Sequence, residues 1–432
     1  MVNLKGKKLL VIGGAFQHCK VVEAAKKMGI ITYVTDYLPI EESPAKMMAD
    51  HKLMFNITDI DDIVKYCKDE GIDGVISVCL DACQRPYQQI CERLNLPCFG
   101  TKEQFTILTD KTKFKECCIK NGVDVIPEYN VQDFLNENPS NENVEYPVLV
   151  KPCDSRGSRG SSVCYNYKEV LSAIASAKAE SSNGNILIEK YMGNKKDICV
   201  TYIVINGQPY LTRLGDRRLG RIEDKMERVS MMGMAPSKYT KMYVENVDQR
   251  VKNMLKSIGL INAPAFMQGF IDGDTVRFYD PGLRYPGAEY ERMYEKVNGI
   301  SLIEPLLEFA LTGNISENAN AFENGYLQKG KVSPYLLISI KPGKIAKILG
   351  EDEVRNHPAV VSLFAKYKVG DEVGAHYNVN QRYCEIDLVC DNVSELCKVI
   401  DWIYDTLIIE NEQGENMVFS KVNTVELLEE YK

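Results

Sequence analysis

Apolar residues in the first hundred positions fall into short runs typical of buried strands, separated by longer amphipathic stretches typical of helices. The pattern predicts strands at 8–13, 30–35 and 74–79, and helices at 18–28, 60–70 and 86–94. Strands that alternate with helices indicate a parallel sheet covered on both faces. Ligands of such sheets bind beyond the carboxyl ends of the strands, a region that here contains Gly13, Gly14, Asp36 and Asp81. A tight turn explains the two glycines equally well.

From residue 109 the pattern changes to helices mixed with paired strands. Helices are predicted at 110–122, 168–179, 247–258 and 393–407, single strands at 146–151, 186–189 and 385–390, and hairpins at 200–212, 266–280 and 335–349. If the second hairpin has a three-residue turn at 272–274, Gln268 lies opposite Phe278. Because side chains alternate between faces, Asp280 then shares a face with Gln268.

The composition excludes several classes of function. A chain of 432 residues predicts two to four domains, and its net charge of −8 argues against a general nucleic-acid binder. No apolar run is long enough to cross a membrane, and the first residues lack the apolar core of a signal peptide. We therefore expect a cytoplasmic protein whose 14 cysteines are reduced. Neither they nor the four histidines have the spacing of a zinc site.

Four segments with candidate chemistry follow one another in a fixed order. They are Asp110-Lys111 at a helix start, a strand ending in Lys151 before a loop of serine, glycine and arginine at 155–162, the segment 186–192 with Glu189 followed by Asp197, and Gln268 and Asp280 on paired strands followed by Arg284. Lysines, arginines and glycine-rich backbone are suited to a triphosphate, which needs cations and N–H donors around it. The alternative for each charged residue is an ordinary solvated or salt-bridged position.

Taken in this order, the segments resemble the ATP-grasp superfamily over residues 8–300, and the tail is similar in kind to the C-terminal lobes of amino-acid ligases and biotin carboxylases. The resemblance implies an α/β fold with three parts. These are an N-terminal doubly wound pre-ATP-grasp domain at 1–108, an ATP-grasp domain at 109–325 with a lid at about 123–190, and a small α+β C-terminal lobe at 326–432.

The resemblance also assigns residues to ATP and to a metal ion. It implies ATP contacts from Lys111, Lys151, Gly157, Ser158, Gly160, Glu189, Lys190, Met192 and Asp197. Relatives hold magnesium with acids at the positions of Gln268 and Asp280 and with an asparagine two residues later. Here Gln268 is neutral and the third residue is Gly282, so the predicted Mg²⁺ or Mn²⁺ site keeps one charged ligand, Asp280.

The expected reaction is activation of a small carboxylate as an acyl phosphate, followed by transfer to an amine. The catalytic candidates are Arg284, Lys151 and Arg159, and the substrate candidates are Arg217, Arg218 and Arg284. By the same resemblance we expect amino-acid-like substrates and a homodimer. A purine-biosynthesis-like or carbamoyl-phosphate-synthase-like ligase is the alternative enzyme. A nucleotide-binding regulatory protein without turnover is the alternative from another class, and a nicotinamide oxidoreductase is the remote one.

Overall fold

The computed structural model describes residues 2–136, 144–152, 161–181, 184–193, 195–220, 229–288, 290–316, 319–375, 379–419 and 421–432. Within these ranges the chain is a mixed α/β protein, as predicted. No helix in them is long and apolar enough to cross a membrane.

The N-terminal part alternates strands and helices as predicted. Its elements are β1 (Lys8–Ile12), α1 (Cys19–Lys27), β2 (Ile31–Thr35), α2 (Pro44–Met48), β3 (His51–Leu53), α3 (Ile60–Glu70), β4 (Gly74–Ile76), α4 (Asp81–Leu94) and α5 (Lys102–Ile107). The strands form a parallel sheet in the order β3-β2-β1-β4. The helix predicted from residue 86 begins five residues earlier, at Asp81, because the chain already turns at Leu80 and Pro86 is accommodated inside the helix.

A second, antiparallel sheet lies within the region predicted as a lid. The helix before it and its own elements are α6 (Lys111–Lys120), β5 (Glu128–Tyr129), α7 (Val131–Leu135), β6 (Val148–Pro152), β7 (Ser162–Cys164), α8 (Tyr167–Glu180) and β8 (Ile186–Lys190). The strand order is β5-β8-β6-β7. Val148 and Val150 point into a separate small apolar core, so Leu149 and Lys151 point the other way.

The central sheet runs through the body of the protein and into the C-terminal region. Strands after the lid are β9 (Asp197–Ile205), β10 (Gln208–Gly220), β11 (Val229–Met234), β12 (Ala263–Asp272), β13 (Thr275–Gly282), β14 (Tyr335–Ile340), β15 (Gly343–Leu349), β16 (Val360–Ala365), β17 (Glu372–Val373), β18 (Arg382–Leu388), β19 (Ile408–Asn411) and β20 (Val418–Phe419). The described central order is β13-β12-β9-β10-β11-β14-β18-β16, with β20 beside β14. The C-terminal lobe therefore shares a sheet with the body.

The hairpin predicted at 335–349 is wrong. Its two strands belong to different sheets, since β14 pairs with β11, β18 and β20, whereas β15 pairs with β17 and β19. The reason lies in burial. Every residue of β14 is buried, as in a strand with neighbours on both sides and layers on both faces, while β15 is mostly exposed.

Helices cover these sheets and complete two larger apolar cores. The remaining helices are α9 (Thr240–Asn246), α10 (Asp248–Ser257), α11 (Tyr290–Asn298), α12 (Glu304–Thr312), α13 (Glu351–Arg355), α14 (Val393–Thr406) and α15 (Thr424–Glu430). One core joins the N-terminal sheet to β9, β10, β12 and β13, and the other lies between β14, β16, β18 and α14. The N-terminal sheet and the central sheet are thus held against each other by continuous apolar packing.

Candidate active site

One face of the central sheet carries most of the predicted site residues. Asp197 lies opposite Arg217 in the β9–β10 pair, and Cys199 lies opposite Gln268 in the β9–β12 pair. Residues directly opposite one another, or two apart along a strand, share a face. This site face, as we call it, presents Asp197, Cys199, Arg213, Arg217, Phe266, Gln268 and Asp280.

The predicted register of the second hairpin is wrong for two reasons, a shorter turn and a bulge in one strand. The turn between β12 and β13 has two residues, which places Gly269, not Gln268, opposite Phe278. Tyr279 is then inserted as the bulge, and Gln268 lies directly opposite Asp280. A bulge leaves one residue without a ladder partner and changes the direction of its neighbours. Gln268 and Asp280 do share a face as predicted, but as direct neighbours.

Lys111 reaches the site face from the first turn of α6. Asp110 caps this helix by accepting hydrogen bonds from the backbone N–H groups of Thr112 and Lys113. Lys111 Nζ lies 3.1 Å from Asp280 Oδ1, and the two side chains are 66% and 31% exposed. Exposed ion pairs contribute only about 0–1 kcal/mol, so Lys111 can exchange this carboxylate for a phosphate at small cost.

Asp197, the predicted ribose ligand, is buried in a polar network. Its two carboxylate oxygens accept from Arg217 Nη1 at 3.0 and 2.9 Å. The Tyr279 hydroxyl oxygen lies 3.1 Å from Asp197 Oδ2, 3.1 Å from Gln268 Oε1 and 3.2 Å from Arg217 Nη1. Burial raises the pKa of Asp197, and the Arg217 guanidinium opposes that rise. Burial by itself lowers the pKa of Arg217, but Asp197 raises it above the ordinary value. The network joins the ribose candidate to the metal candidate.

Arg284 connects the site face to the N-terminal sheet. Its Nε and Nη2 donate to the two oxygens of Asp81, each at 2.7 Å, and its Nη1 donates to the Tyr285 carbonyl at 2.8 Å. The guanidinium carbon lies 4.6 Å from the centre of the Phe266 ring. Asp81 follows Leu80, whose φ of 65° is uncommon for a residue with a side chain. Such strain persists only where the surrounding structure enforces it, and here it directs Asp81 towards Arg284.

The rest of the predicted ligand edge in the N-terminal sheet is filled by protein contacts. Asp36 accepts from Lys46 Nζ at 2.6 Å and from the Ser43 hydroxyl at 2.7 Å. A Cβ on Gly14 would lie 1.9 Å from Ser43 Oγ, so glycine is needed there for close packing. Of the four residues predicted at this edge, Asp81 is the one that contacts a site residue.

Lys151 lies on the side of strand β6 that faces away from the small apolar core, and there it pairs with Glu189. Lys151 Nζ lies 2.6 Å from Oε1 of Glu189, which is the predicted adenine contact and is buried. The other oxygen of Glu189 lies 3.9 Å from Lys115 Nζ, one turn along α6 from Lys111. Glu189 therefore links the lid lysine to the helix that carries the other predicted phosphate-binding lysine.

The segment at the end of β8 is held through both its backbone and its side chains. The N–H of Lys190 donates to the Pro127 carbonyl at 3.0 Å, and its ammonium lies 3.1 Å from Asp272 Oδ2. Burial raises the pKa of Asp272, but Arg277 and two lysines together hold it well below the usual range. Met192 is buried. The side chain of Lys190 is thus bound to the β12–β13 hairpin, and a contact with adenine at Lys190 and Met192 stays a prediction.

Arg218 is not part of the site face, although it was predicted together with Arg217 as a substrate ligand. The two residues are adjacent on β10 and point to opposite faces. Arg218 pairs with Glu430 at the end of α15. Glu430 also lies 2.6 Å from Lys196 Nζ and 3.2 Å from Lys238 Nζ. The C-terminal helix therefore occupies this second cation cluster.

Four predicted site residues lie outside the described part of the chain, and one residue of the network, Tyr279, does not follow from the sequence. Gly157, Ser158, Arg159 and Gly160, the predicted lid contacts with the phosphates, lie outside the described residues. Tyr279 was not predicted as a site residue, although it joins three members of the network. Strand alternation was the available signal, and it places Tyr279 on the opposite face unless the bulge is known.

The donor set at the predicted metal position consists of two neighbouring oxygen ligands. The carboxylate of Asp280 and the amide oxygen of Gln268 are of the type that Mg²⁺ prefers. Gly282 supplies no ligand, and a Cβ there would lie 2.1 Å from the Phe266 ring. In the described part of the chain, no group of three or more His, Cys, Asp or Glu side chains is placed to hold a metal ion. The residues fit an ion whose remaining ligands are phosphate oxygens and water.

Comparison of sequences identifies relatives for the middle of the chain. Residues 110–267 match the family described as carbamoyl-phosphate synthase L chain, ATP binding domain. The 2-oxoglutarate carboxylase small subunit of Hydrogenobacter thermophilus is 27% identical over 209 residues, 44% of each chain. A carbamoyl phosphate synthase large chain of Clostridium botulinum is 28% identical over 206 residues, 44% of this chain and 19% of that one. The matches thus span less than half the length of these curated relatives.

Comparison of structures extends the similarity to nearly the whole chain. Phosphoribosylglycinamide synthetase from Anaerococcus prevotii gives a TM-score of 0.77 at 20% identity, covering 94% of this chain and 100% of that one. The L-amino acid ligase from Bacillus licheniformis gives 0.73 at 17% identity, covering 94% and 99%. At these identities the likeness is one of fold.

Proposed function

Since this chain carries an ATP-grasp domain, the ATP-binding unit of ATP-dependent ligases, we propose that it activates a carboxylate as an acyl phosphate and joins it to an amine. The observation that carries the proposal is convergence on the site face. Lys111 comes from α6, Gln268 and Asp280 from the β12–β13 hairpin, and Arg284 from the segment clamped to the N-terminal sheet. Cations and oxygen ligands from separate parts of the chain meet where a triphosphate would need them.

In the proposed first step, a carboxylate oxygen of the substrate attacks the γ-phosphorus of ATP. The new O–P bond forms as the bond to the β,γ-bridging oxygen breaks, and ADP leaves. Lys111 and Lys151 bind the phosphates and offset their charge during transfer. Asp280 and Gln268 would hold a magnesium ion, which would further neutralise charge on the phosphate oxygens.

In the second step, the amine nitrogen attacks the acyl carbon, the bond from that carbon to the phosphate oxygen breaks, and phosphate leaves together with the proton lost by the nitrogen. Arg284 is the residue proposed to steady the carboxylate and the acyl phosphate. Its side chain is only 9% exposed, and two hydrogen bonds to Asp81 fix the plane of its guanidinium. A fixed fork of donors is well suited to the planar carboxyl group of the substrate. Exclusion of water would protect the acyl phosphate from hydrolysis.

For the substrate, we propose an amino-acid-like acid and amine. The support is the fold shared with an L-amino acid ligase along nearly the full length of both chains. A purine-biosynthesis-like ligase has similar support from the phosphoribosylglycinamide synthetase structure, and a carbamoyl-phosphate-synthase-like activity has support from the family match. The neutral Gln268 favours a second kind of function, a nucleotide-binding regulatory protein without turnover.

The test is phosphate release from ATP with Mg²⁺ or Mn²⁺ across pools of acids and amines. A pool of acids that supports hydroxamate formation when hydroxylamine replaces the amine identifies an acyl phosphate. Asp280→Asn should abolish both signals, whereas Asp274→Asn, in the turn of the same hairpin, should leave them unchanged. Tight ATP binding without stimulated release from any pool would favour the regulatory protein and contradict the ligase.

We further propose that the protein works in the cytoplasm, where ATP is available, and that it forms a homodimer. The support for a dimer is analogy, since a biotin carboxylase domain that shares the fold was solved as a dimer. Light scattering of the purified chain decides this point, and a single species with the mass of one chain, 48.8 kDa, would contradict it.

A further inference from the structure

The site face offers divalent ions fewer anionic ligands than the family pattern predicts. Among the three positions that bind magnesium in that pattern, Gln268 is neutral, Gly282 has no side chain, and Asp280 alone carries a charge. A Cβ on Gly282 would lie 2.1 Å from the Phe266 ring, so a larger side chain there would have to displace that ring. The departure is therefore built into the packing as well as into the sequence.

A cation lies close to the Gln268 side of this pair. The Gln268 amide oxygen is 3.1 Å from the Tyr279 hydroxyl, which is 3.2 Å from Arg217 Nη1. Arg217 is 17% exposed, and its own charge is matched by Asp197. A second divalent ion beside Gln268 would be near a guanidinium and would find both described carboxylates of the site face already paired.

Charge and ligand type then limit how many ions the face can hold. Mg²⁺ gives up its water reluctantly and is held by one or two carboxylates together with substrate phosphates. Asp280 supplies a single negative charge, and that charge is paired with Lys111 at 3.1 Å. An ion that arrived alone would have to displace the ammonium group and would receive one carboxylate in return.

We propose that this site binds one divalent ion per ATP, and that the ion enters as the complex with the nucleotide. The inference rests on the proposed function only in requiring that the chain binds ATP. As the complex docks, Lys111 moves from Asp280 to the phosphates and the ion takes its place on the carboxylate. Lys111 is 66% exposed, so this exchange of partners needs no movement of the backbone.

The experiment counts Mn²⁺ on the full chain by electron paramagnetic resonance, with radiolabelled ATPγS measured in the same samples. The native protein should hold one Mn²⁺ for each bound ATPγS, and it should hold no Mn²⁺ without nucleotide at concentrations that saturate the ternary complex. Two ions per bound ATPγS, or one ion bound without nucleotide at those concentrations, would overturn the inference while leaving the proposed function intact. No binding of ATPγS would overturn both.

A matched pair of variants sharpens the count. Gln268→Glu places a second carboxylate directly opposite Asp280 and should raise the number to two Mn²⁺ per bound ATPγS. Gln249→Glu adds the same charge on the exposed surface of α10 and should leave the number at one. A folded Gln268→Glu protein that still holds one ion would show that the missing carboxylate does not set the count. If that variant fails to fold, the count on the native protein decides by itself.

Discussion

Replacement of Asp81 by asparagine tests whether the N-terminal sheet positions Arg284. The substitution keeps the size of the side chain and removes the charge that two donors of Arg284 contact at 2.7 Å. Hydrogen bonds to charged groups contribute about 1.5–3 kcal/mol each, whereas an exposed ion pair contributes about 0–1 kcal/mol. Arg284 is 9% exposed but Asp81 is 73% exposed. We therefore expect a loss of about 1–2 kcal/mol in the free energy of unfolding.

The effect on activity should exceed the effect on nucleotide binding. Arg284 keeps its bond to the Tyr285 carbonyl and its contact with Phe266, so it stays near the site but loses a fixed orientation. A fall of about 10- to 100-fold in kcat corresponds to about 1.4–2.7 kcal/mol of transition-state stabilisation. The KM for ATP should change less than about twofold, since the residues proposed to bind the phosphates are Lys111 and Lys151, not Arg284. The assay is steady-state phosphate release with the acid and amine found by pool screening.

Two controls separate positioning from general damage. Asp61→Asn removes a comparable aspartate–arginine contact, that with Arg93 at 2.5 Å, from an exposed surface, and should leave kcat unchanged. In a double-mutant cycle, Asp81→Asn should change kcat little when it is added to Arg284→Met. A kcat equal to that of the native enzyme in Asp81→Asn, or additive effects in the cycle, would refute the idea that Asp81 acts through Arg284.

Three further outcomes are expected from other parts of the chain. Lys111→Met should weaken ATP binding about tenfold in calorimetry, because one charged contact with the phosphates is lost. Lys113→Met, on the same helix, should leave the affinity unchanged. Equal affinities of the two variants for ATP would show that Lys111 does not bind the phosphates. Glu430→Gln should lower the free energy of unfolding by about 1–2 kcal/mol in urea titrations, because Lys196, Arg218 and Lys238 lose their shared carboxylate. Glu429 is exposed, and Glu429→Gln should leave that free energy unchanged. Burial lowers the pKa of His18 from 6.5 to about 3. As the pH drops below 6.5, the unfolded chain therefore binds a proton at this imidazole before the folded chain does. The free energy of unfolding should then fall by about 1.4 kcal/mol per pH unit. His18→Gln should lose that slope between pH 6.5 and 4.5, and the same pH dependence in both proteins would contradict a neutral buried imidazole.

Local patterns in the sequence predicted many of the helices and strands. The strand and helix alternation of the first hundred residues is confirmed, because each element there has its own apolar periodicity. Helix α3 begins and ends at the predicted residues, and of the two candidate caps for α6, Thr109 and Asp110, the structure uses Asp110. The ATP-grasp recognition, which used the order of short segments, is also confirmed. Order along the chain is a property of the sequence that needs no knowledge of contacts.

Pairing between distant segments was decided by the tertiary structure. Asp81 and Arg284 are 203 residues apart, and no periodicity connects them. The length of the turn and the bulge at Tyr279 depend on how β13 fits β12, and together they change the partner of Gln268 from Phe278 to Asp280. Likewise, β14 and β15 have the spacing of a hairpin, yet the buried β14 pairs within the central sheet. The sequence by itself determined which elements and chemical groups exist; packing determined which of them meet, because a contact's free energy depends on both partners and on the solvent they exclude.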